Sequence, residues 1–419
     1  MTIHADRPTR WEWLALAAIL LLAAILRLGA PGISEFKLDE AHLSKLALDM
    51  ARGRDFPLLG IGSSVGIPNL PVSVWLFALP YWFSSDPTTA TVYVGLLNVA
   101  AVGLTWWLAR RYFGPGAGLV AALMFAASPW GVIYSRKIWA QNLLPPFVTL
   151  TMATGMIGFL ESERGERWRW LVAHSFLLAV TVQIHYAALV LIPLTLWMLW
   201  LGRHNLTRRL ATAIGVIAAL AVVGSVALWL MARERGIDWR AFGQGGLGLT
   251  TEALYHFTIT VSGNAIHSLA GTEAYQDYLA EVPDIVLLQT LFGWLVILSA
   301  AGAGYAAWRR GPGLGRRVRL TLLAWLILPV ALFSVTWTPT FPHYLIPLMP
   351  AAYILFGAGA SAAWRIARGR SPARGRSAAT FIAGLLLIFA AMQARNTATL
   401  YAFLDRHPTP GGFGTPLHY

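Results

Sequence analysis

An all-α polytopic membrane protein is the architecture to expect from this chain. Hydrophobic residues make up 57% of its 419 positions and charged residues only 12%, with a mean hydropathy of +0.58; a soluble domain of that size is far more polar. The apolar residues gather in runs of about 20, the length of helix that crosses a hydrocarbon core. Short arginine clusters stand between the runs and carry much of the +13 net charge, which is how topology-setting loops look. With no soluble domain to carry it, that charge does not indicate nucleic acid as a partner. The chain has no cysteine, so disulfides and thiolate metal sites are excluded.

The elements follow in order. Residues 11–28 form the first span, and Arg7 and Arg10 ahead of it put the N-terminus in the cytoplasm. The run lacks a small-x-small cleavage site and many spans follow, so it reads as an uncleaved anchor. Residues 53–71 are a loop dense in Gly and Pro; its Gly60-x-Gly62-x-x-x-Gly66 has no strand before it and is no dinucleotide fingerprint. Residues 71–84 are apolar, but as a helix they reach about 21 Å against a core of about 30 Å. If they crossed, Arg110, Arg111 and every later basic loop would face outward; lying at the outer interface, they leave those loops inside.

The remaining spans are then 88–109, 115–132, 143–160, 168–184, 186–202, 209–232, 284–307, 318–335, 343–364 and 378–396, about 11 transmembrane helices with the first. Twenty of the 32 basic residues fall inside, among them Arg110, Arg111, Arg164, Arg167, Arg169, Arg203, Arg208, Arg209, Arg309, Arg310, Arg316, Arg317, Arg319, Arg365 and Arg368. Residues 1–396 make a single transmembrane domain with long exoplasmic loops at 29–87 and 233–283, and 397–419 a short exoplasmic tail. No internal repeat is visible, which weighs against an inverted-repeat transporter.

The stretch Phe36-Lys37-Leu38-Asp39-Glu40-Ala41-His42-Leu43 sets two carboxylates beside a membrane. On a helix over 39–52, Asp39 shares a stripe with Leu43, Leu46 and Met50, while Lys45, Asp49 and Arg52 lie on a solvated side. Asp39 is then an inward-facing acid; the alternative is a helix-capping Asp followed by a Glu that suits the dipole. The topology brings further polar residues to the same outer end: His42 in the first loop; Arg136, Lys137, Gln141 and Asn142 in the second; Gln183, His185 and Tyr186 at a turn; His343 and Tyr344 opening a late span. Polar groups at that depth are costly unless paired or lining a wet cavity, so their gathering points to a site. Snorkelling for the cations and interhelical hydrogen bonding for Gln183 are the plain alternatives.

The Asp39-Glu40 pair after the first span, the interfacial helix before the second, the Pro129–Pro145 stretch with Ser135-Arg136 in it, and His343-Tyr344-Leu345-x-Pro347-x-x-Pro350 together resemble the membrane-integral GT-C glycosyltransferases. The resemblance is to family 39, the protein O-mannosyltransferase and lipid A aminoarabinose transferase superfamily, and is strongest over residues 10–200. It implies a prokaryotic plasma-membrane enzyme that moves a sugar, with inversion, from a polyprenyl-phosphate donor to an acceptor hydroxyl on a lipid, glycan or protein at the exoplasmic face. It also implies Asp39 as catalytic base, with Glu40 assisting. A hydroxyl is a weak nucleophile and needs a positioned carboxylate to take its proton. The departing lipid phosphate needs a cation, for which Arg136 is the candidate with Lys137 and His343 behind it.

Two departures qualify the resemblance. Many relatives place an acid five positions after the arginine of the second outer loop, where this chain has Gln141 and then Asn142; neutral amides are poor ligands for Mg²⁺ or Mn²⁺, so transfer without a metal cofactor is expected. The lysine that the aminoarabinose enzymes carry before the interfacial helix is missing, Asn69 standing in that neighbourhood. The loop 233–283 holds Asp238, Trp239, Glu252, Tyr255, His256, His267, Glu273 and Asp277, with Asp284 at its end, and reads either as a lid or as a solvated loop. The small residues Gly357-Ala358-Gly359-Ala360-Ser361 suit close helix packing within one chain or between two. Rival functions are a polyprenyl-phosphate-linked glycan polymerase or ligase, a lipid-linked sugar transporter, and a structural protein. The scarcity of acids within the spans argues against transport.

Overall fold

The computed structural model describes residues 7–63, 68–161, 167–203, scattered positions between 212 and 230, 248–309, 311–336, 340–370 and 372–419. The expected span 209–232, the glycine Gly66, and Asp238 and Trp239 of the second long loop fall wholly or mostly outside the described residues.

Among the described residues, seven helical stretches are long and apolar enough to cross a membrane, and four shorter apolar helices accompany them. The first, α1 (Arg10–Leu28), buries Glu12, Leu16, Ile19, Ala23 and Arg27 along one stripe, while Trp11, Leu14, Leu21 and Ile25 are exposed. This polarity is inverted relative to a soluble helix, because the outward face meets lipid and the two charged residues need protein partners. Then come α2 (Leu38–Ala51) and α3 (Val72–Tyr81). The latter is only ten residues long, about 15 Å, too short to span and packed against α2.

Helix α4 (Pro87–Phe113) opens with Asp86 capping Thr88 N–H and packs on α1 and on α5 (Pro115–Ala127). The sequence suggested one span over 115–132, but the helix breaks at Ser128. Pro129 has no N–H for the ladder, and the Ser128 hydroxyl accepts from Gly131 N–H at 3.2 Å to start α6 (Pro129–Tyr134). The carbonyls of Phe125 and Ala126 that the break exposes accept from Arg27 at 2.8 and 2.7 Å.

A 3₁₀ turn, Ala140–Leu143, leads into α7 (Leu144–Gly155), which ends in a π-helical turn, Met156–Leu160. Next are α8 (Arg167–Ile184) and, after the 3₁₀ turn Tyr186–Val190, α9 (Leu191–Gly202). The described part of the second long loop begins with the two-residue strand β1 (Gly248–Leu249) and continues as α10 (Glu252–Ser262), the 3₁₀ turn Ile266–Ala270 and α11 (Tyr275–Glu281). It is not a solvated loop. Phe257 and Val261 are buried, Tyr353 Oη donates to Val261 O at 3.1 Å, and Trp130 Nε1 donates to Asn264 O at 2.7 Å.

The chain finishes with α12 (Val286–Arg309), α13 (Leu314–Ser334), the strand β2 (Val335–Thr336) antiparallel to β1, a 3₁₀ turn Pro342–Leu348, α14 (Met349–Arg370) and α15 (Pro372–Arg406). The expected tail from 397 is therefore helical as far as Arg406, because nothing in 397–406 breaks the ladder before Pro408. The centre of the bundle is α14 packed between α5, α12 and α15. Its small residues serve contacts within this chain. A Cβ on Gly357 would meet the Ala117 carbonyl of α5, and one on Gly359 the Ser299 side chain of α12.

Candidate active site

The acidic stretch enters the bundle with a rotation that the sequence did not reveal. Helix α2 starts at Leu38, and Glu40 turns back so that its Oε2 accepts from Lys37 N–H at 2.8 Å. That places Glu40, Leu43, Ser44 and Ala47 on the buried face. Successive helical residues differ by about 100°, so the acid facing the protein is Glu40, only 1% exposed. Asp39, expected to face inward, lies on the open side. The capping role weighed for Asp39 also belongs to Glu40.

Around this pair the second loop folds back. Lys137 Nζ lies 2.8 Å from Glu40 Oε1 and 2.9 Å from Glu35 Oε2, and 3.7 Å from the centre of the Trp139 ring. The same indole points its N–H at Asp39 Oδ2, 3.4 Å away. Trp139 therefore joins the two acids' surroundings, with a buried cation on its face and an exposed carboxylate at its edge. Glu35 also binds Lys37 at 2.7 Å. Asn142 fixes the turn, its Nδ2 donating to Lys137 O at 3.0 Å while its own carbonyl accepts from Asn98 at 2.9 Å. Gln141 is buried beside it.

Arg136 is committed elsewhere. Its guanidinium donates to Leu26 O at 2.9 Å and Ala30 O at 2.7 Å, closing the C-terminal end of α1, and stacks 4.1 Å from the Tyr401 ring centre. Burial pulls its pKa below the ordinary value for arginine. It therefore secures α1, α6 and α15 around the site, where the sequence suggested a free phosphate cation.

His343 enters from the 3₁₀ turn before α14. Its ring lies 4.6 Å from Trp139 and 4.5 Å from Tyr344, with Phe341 stacked at 5.5 Å. His185 stands behind, 6.0 Å from Tyr344, its Nδ1 accepting from Ala187 N–H. Burial holds the His185 imidazole down to about 3, so it is neutral near pH 7. Tyr186 Oη donates to Pro68 O at 2.8 Å, tying the turn to the loop before α3, and Gln183 hydrogen-bonds within its own helix to Ala179 O. His42 is exposed on α2. Gln183 and His42 are thus not among the residues brought together. Asn69 is buried and bonds to Ile61 O, a turn-forming role.

A cavity of about 190 Å³ opens among Glu35, Tyr134, Arg136, Lys137, Trp139, His343 and Phe413; Asp39 does not line it but meets the indole N–H of the lining residue Trp139. Glu35, Tyr134, Trp139 and Phe413 are lining residues that sequence reasoning did not single out. Glu35, four residues before Asp39, carried a weak signal in the acidic stretch; Phe413 carried none. It reaches the cavity because Lys37 Nζ donates to Gly412 O at 2.6 Å and Phe413 N–H to Leu269 O at 2.8 Å.

Glu35 and Glu40 share Lys137, residues 141 and 142 are amides, and no three of His, Asp or Glu converge among the described residues.

This arrangement sits in the fold of the GT-C membrane glycosyltransferases. Residues 68–229 match the family model described as dolichyl-phosphate-mannose-protein mannosyltransferase; the matched part begins after Asp39. The fold is similar to that of ArnT from Cupriavidus metallidurans bound to undecaprenyl phosphate, at 17% identity and a TM-score of 0.59, over 94% of this chain and 76% of that one. It is also similar to the oligosaccharyltransferase AglB from Archaeoglobus fulgidus, solved with an inhibitory peptide and a dolichol-phosphate, at 14% identity and a TM-score of 0.57, over 98% of this chain and 61% of that one. No curated protein matches the chain by sequence.

Proposed function

We propose that this protein is a membrane glycosyltransferase that takes a sugar from a polyprenyl-phosphate donor and delivers it, with inversion, to an acceptor hydroxyl at the exoplasmic face. The observation that carries this reading is the exposed Asp39 carboxylate at the edge of Trp139, beside a cavity lined by Lys137 and His343, within a fold shared with proteins solved with lipid phosphates.

In the proposed reaction Asp39 takes the acceptor's hydroxyl proton as the oxygen attacks the anomeric carbon. The carbon–oxygen bond to the phosphate breaks, and its electron pair leaves with the polyprenyl phosphate. Of the two cations that line the cavity, Arg136 gives its guanidinium N–H groups to the Leu26 and Ala30 carbonyls, so Lys137 meets the charge that develops there, with Glu35 and Glu40 holding it in position. The aromatic wall of Trp139 and His343 suits the apolar face of a sugar ring. Glu40 acts through Lys137 and not as a second base. Transfer is proposed to need no divalent metal, on the ground of the donor set; restoration of activity by Mn²⁺ after chelation would contradict this.

Purified protein in lipid, offered a panel of radiolabelled polyprenyl-phosphate sugars alongside Asp39→Asn, tests the reading. Label should leave one donor with the wild type and not with the variant. Consumption of no donor, or equal transfer by the variant, rejects Asp39 as base.

A further inference from the structure

We propose that the groove between α12, α13, α14 and α15, at the end of the bundle away from Asp39, binds one anionic phospholipid of the surrounding leaflet.

The groove has a volume of about 630 Å³, within the range of roughly 300–1,000 Å³ typical of sites for small organic ligands. Its walls are small or apolar, with Leu298, Gly302, Ala303, Phe356 and Leu386 among them, and among the described residues the polar side chains that enter include two arginines, Arg319 and Arg365, and no carboxylate. An acyl chain suits the body of such a groove, and a phosphate suits its charged part.

The arginines differ usefully. Arg319 is buried, its guanidinium 5.5 Å from the Phe113 ring centre and donating to Gly315 O at 2.8 Å. Its positive charge therefore lies inside the groove wall. Arg365 is exposed one turn beyond Ser361, whose hydroxyl it reaches at 3.1 Å. A guanidinium has five N–H donors in a fixed fork, so this bond leaves donors on Arg365 for a phosphate. Arg316 and Arg368 lie exposed at the same end and add to an attraction for negative headgroups. The rim residues Leu298, Ile366 and Leu385 are also exposed, so a chain enters sideways from the bilayer.

This site is distinct from the one around Asp39. Along α14 the distance from Met349, beside the His343 turn, to Arg365 is about 24 Å of helix, so a carrier phosphate reacting at Lys137 cannot simultaneously contact Arg365.

The test is native mass spectrometry of the full chain released from detergent containing equal amounts of dioleoyl phosphatidylglycerol and dioleoyl phosphatidylcholine. One phosphatidylglycerol should be retained per chain in preference to phosphatidylcholine. Arg365→Gln and Arg319→Gln should each reduce that preference by about fivefold, the usual worth of one basic side chain at an anionic lipid surface. Gly302→Leu provides a variant expected to fold, because a Cβ there has nothing within 4 Å; its side chain enters the open groove and should abolish retention at an unchanged melting temperature. Equal retention of the two lipids, unchanged retention by Gly302→Leu, or displacement of the lipid by inorganic phosphate alone would overturn the proposal.

Discussion

The two ends of the bundle handle carboxylates in opposite ways. At the arginine-rich end each buried acid among the described residues has its own guanidinium. Glu12 on α1 meets Arg110 of α4 at 2.5 Å, and Glu161 meets Arg111 at 2.6 Å while accepting from Tyr112 Oη at 2.8 Å. Each pair joins segments distant in sequence and is largely shielded from solvent. At the other end three acids gather around fewer available cations. Lys137 is shared by Glu35 and Glu40, and Asp39 meets an indole N–H at 3.4 Å in place of a cation. A matched and sealed pair is a clamp, since removing either partner strands a charge in a low dielectric. A carboxylate left on the open side retains lone pairs for a proton. Charge alone therefore does not mark the site; the imbalance of charge beside a cavity does.

That contrast makes separable predictions. Asp39→Asn should lower the transfer rate by about a thousandfold, within the span usual for a lost general base, while melting within a degree or so of wild type, because the side chain is exposed; single-turnover label transfer and thermal unfolding in the same lipid read the two quantities. Arg110→Met should do the reverse, destabilising by about 3–5 kcal/mol as an unpaired buried carboxylate is left behind, with the folded fraction still active. Adding Glu12→Gln to it should restore part of that stability. If Arg110→Met instead abolished transfer without shifting unfolding, the division between clamp and site would be wrong.

Glu40→Gln should fall between the two. It removes one of the carboxylates holding Lys137, so the KM for donor should rise more than kcat falls, whereas a second general base would lower kcat. Trp139→Phe keeps a ring for Lys137 but loses the N–H to Asp39, and a hydrogen bond of ordinary net worth predicts a loss of about three- to tenfold in rate. The smallest effect belongs to Glu281. Hydrogen bonding from Arg406, followed by His407, holds its carboxyl below the usual range. A depressed folded-state pKa contributes stability above the unfolded value, near 4.3 for a glutamate, and loses it as pH falls through the lowered value. The pair is exposed, so Glu281→Gln should flatten only slightly the acid limb of a melting-temperature profile.

Several features could be read directly from the chain. The spans were visible because a hydrocarbon core demands long apolar helices with internally satisfied backbones, and α1, α4, α12 and α13 fall within a few residues of the expected bounds. The break at Ser128 was foreshadowed by Pro129, although hydrophobicity ran through it. The end of α15 was misjudged because composition changes before the helix does. In the site, Lys137, His343 and Tyr344 could be gathered from topology, since span ends alternate between two faces.

The rotation of α2 was not legible. Two adjacent acids are separated by about 100° on a helix, and which one faces the protein depends on the residue at which the helix starts, here set by Glu40 reaching back to the Lys37 N–H. Nor could any local pattern show that Arg136 closes the end of α1, that Arg27 serves the carbonyls freed at α5, or that the tail carries Phe413 into the cavity. The sequence alone settled that this is a many-helix membrane protein, because solvation by lipid acts on each segment separately. Which polar groups are clamped and which stand open required the packed chain, because a side chain's partners lie some 100 residues away and are set by how the helices meet.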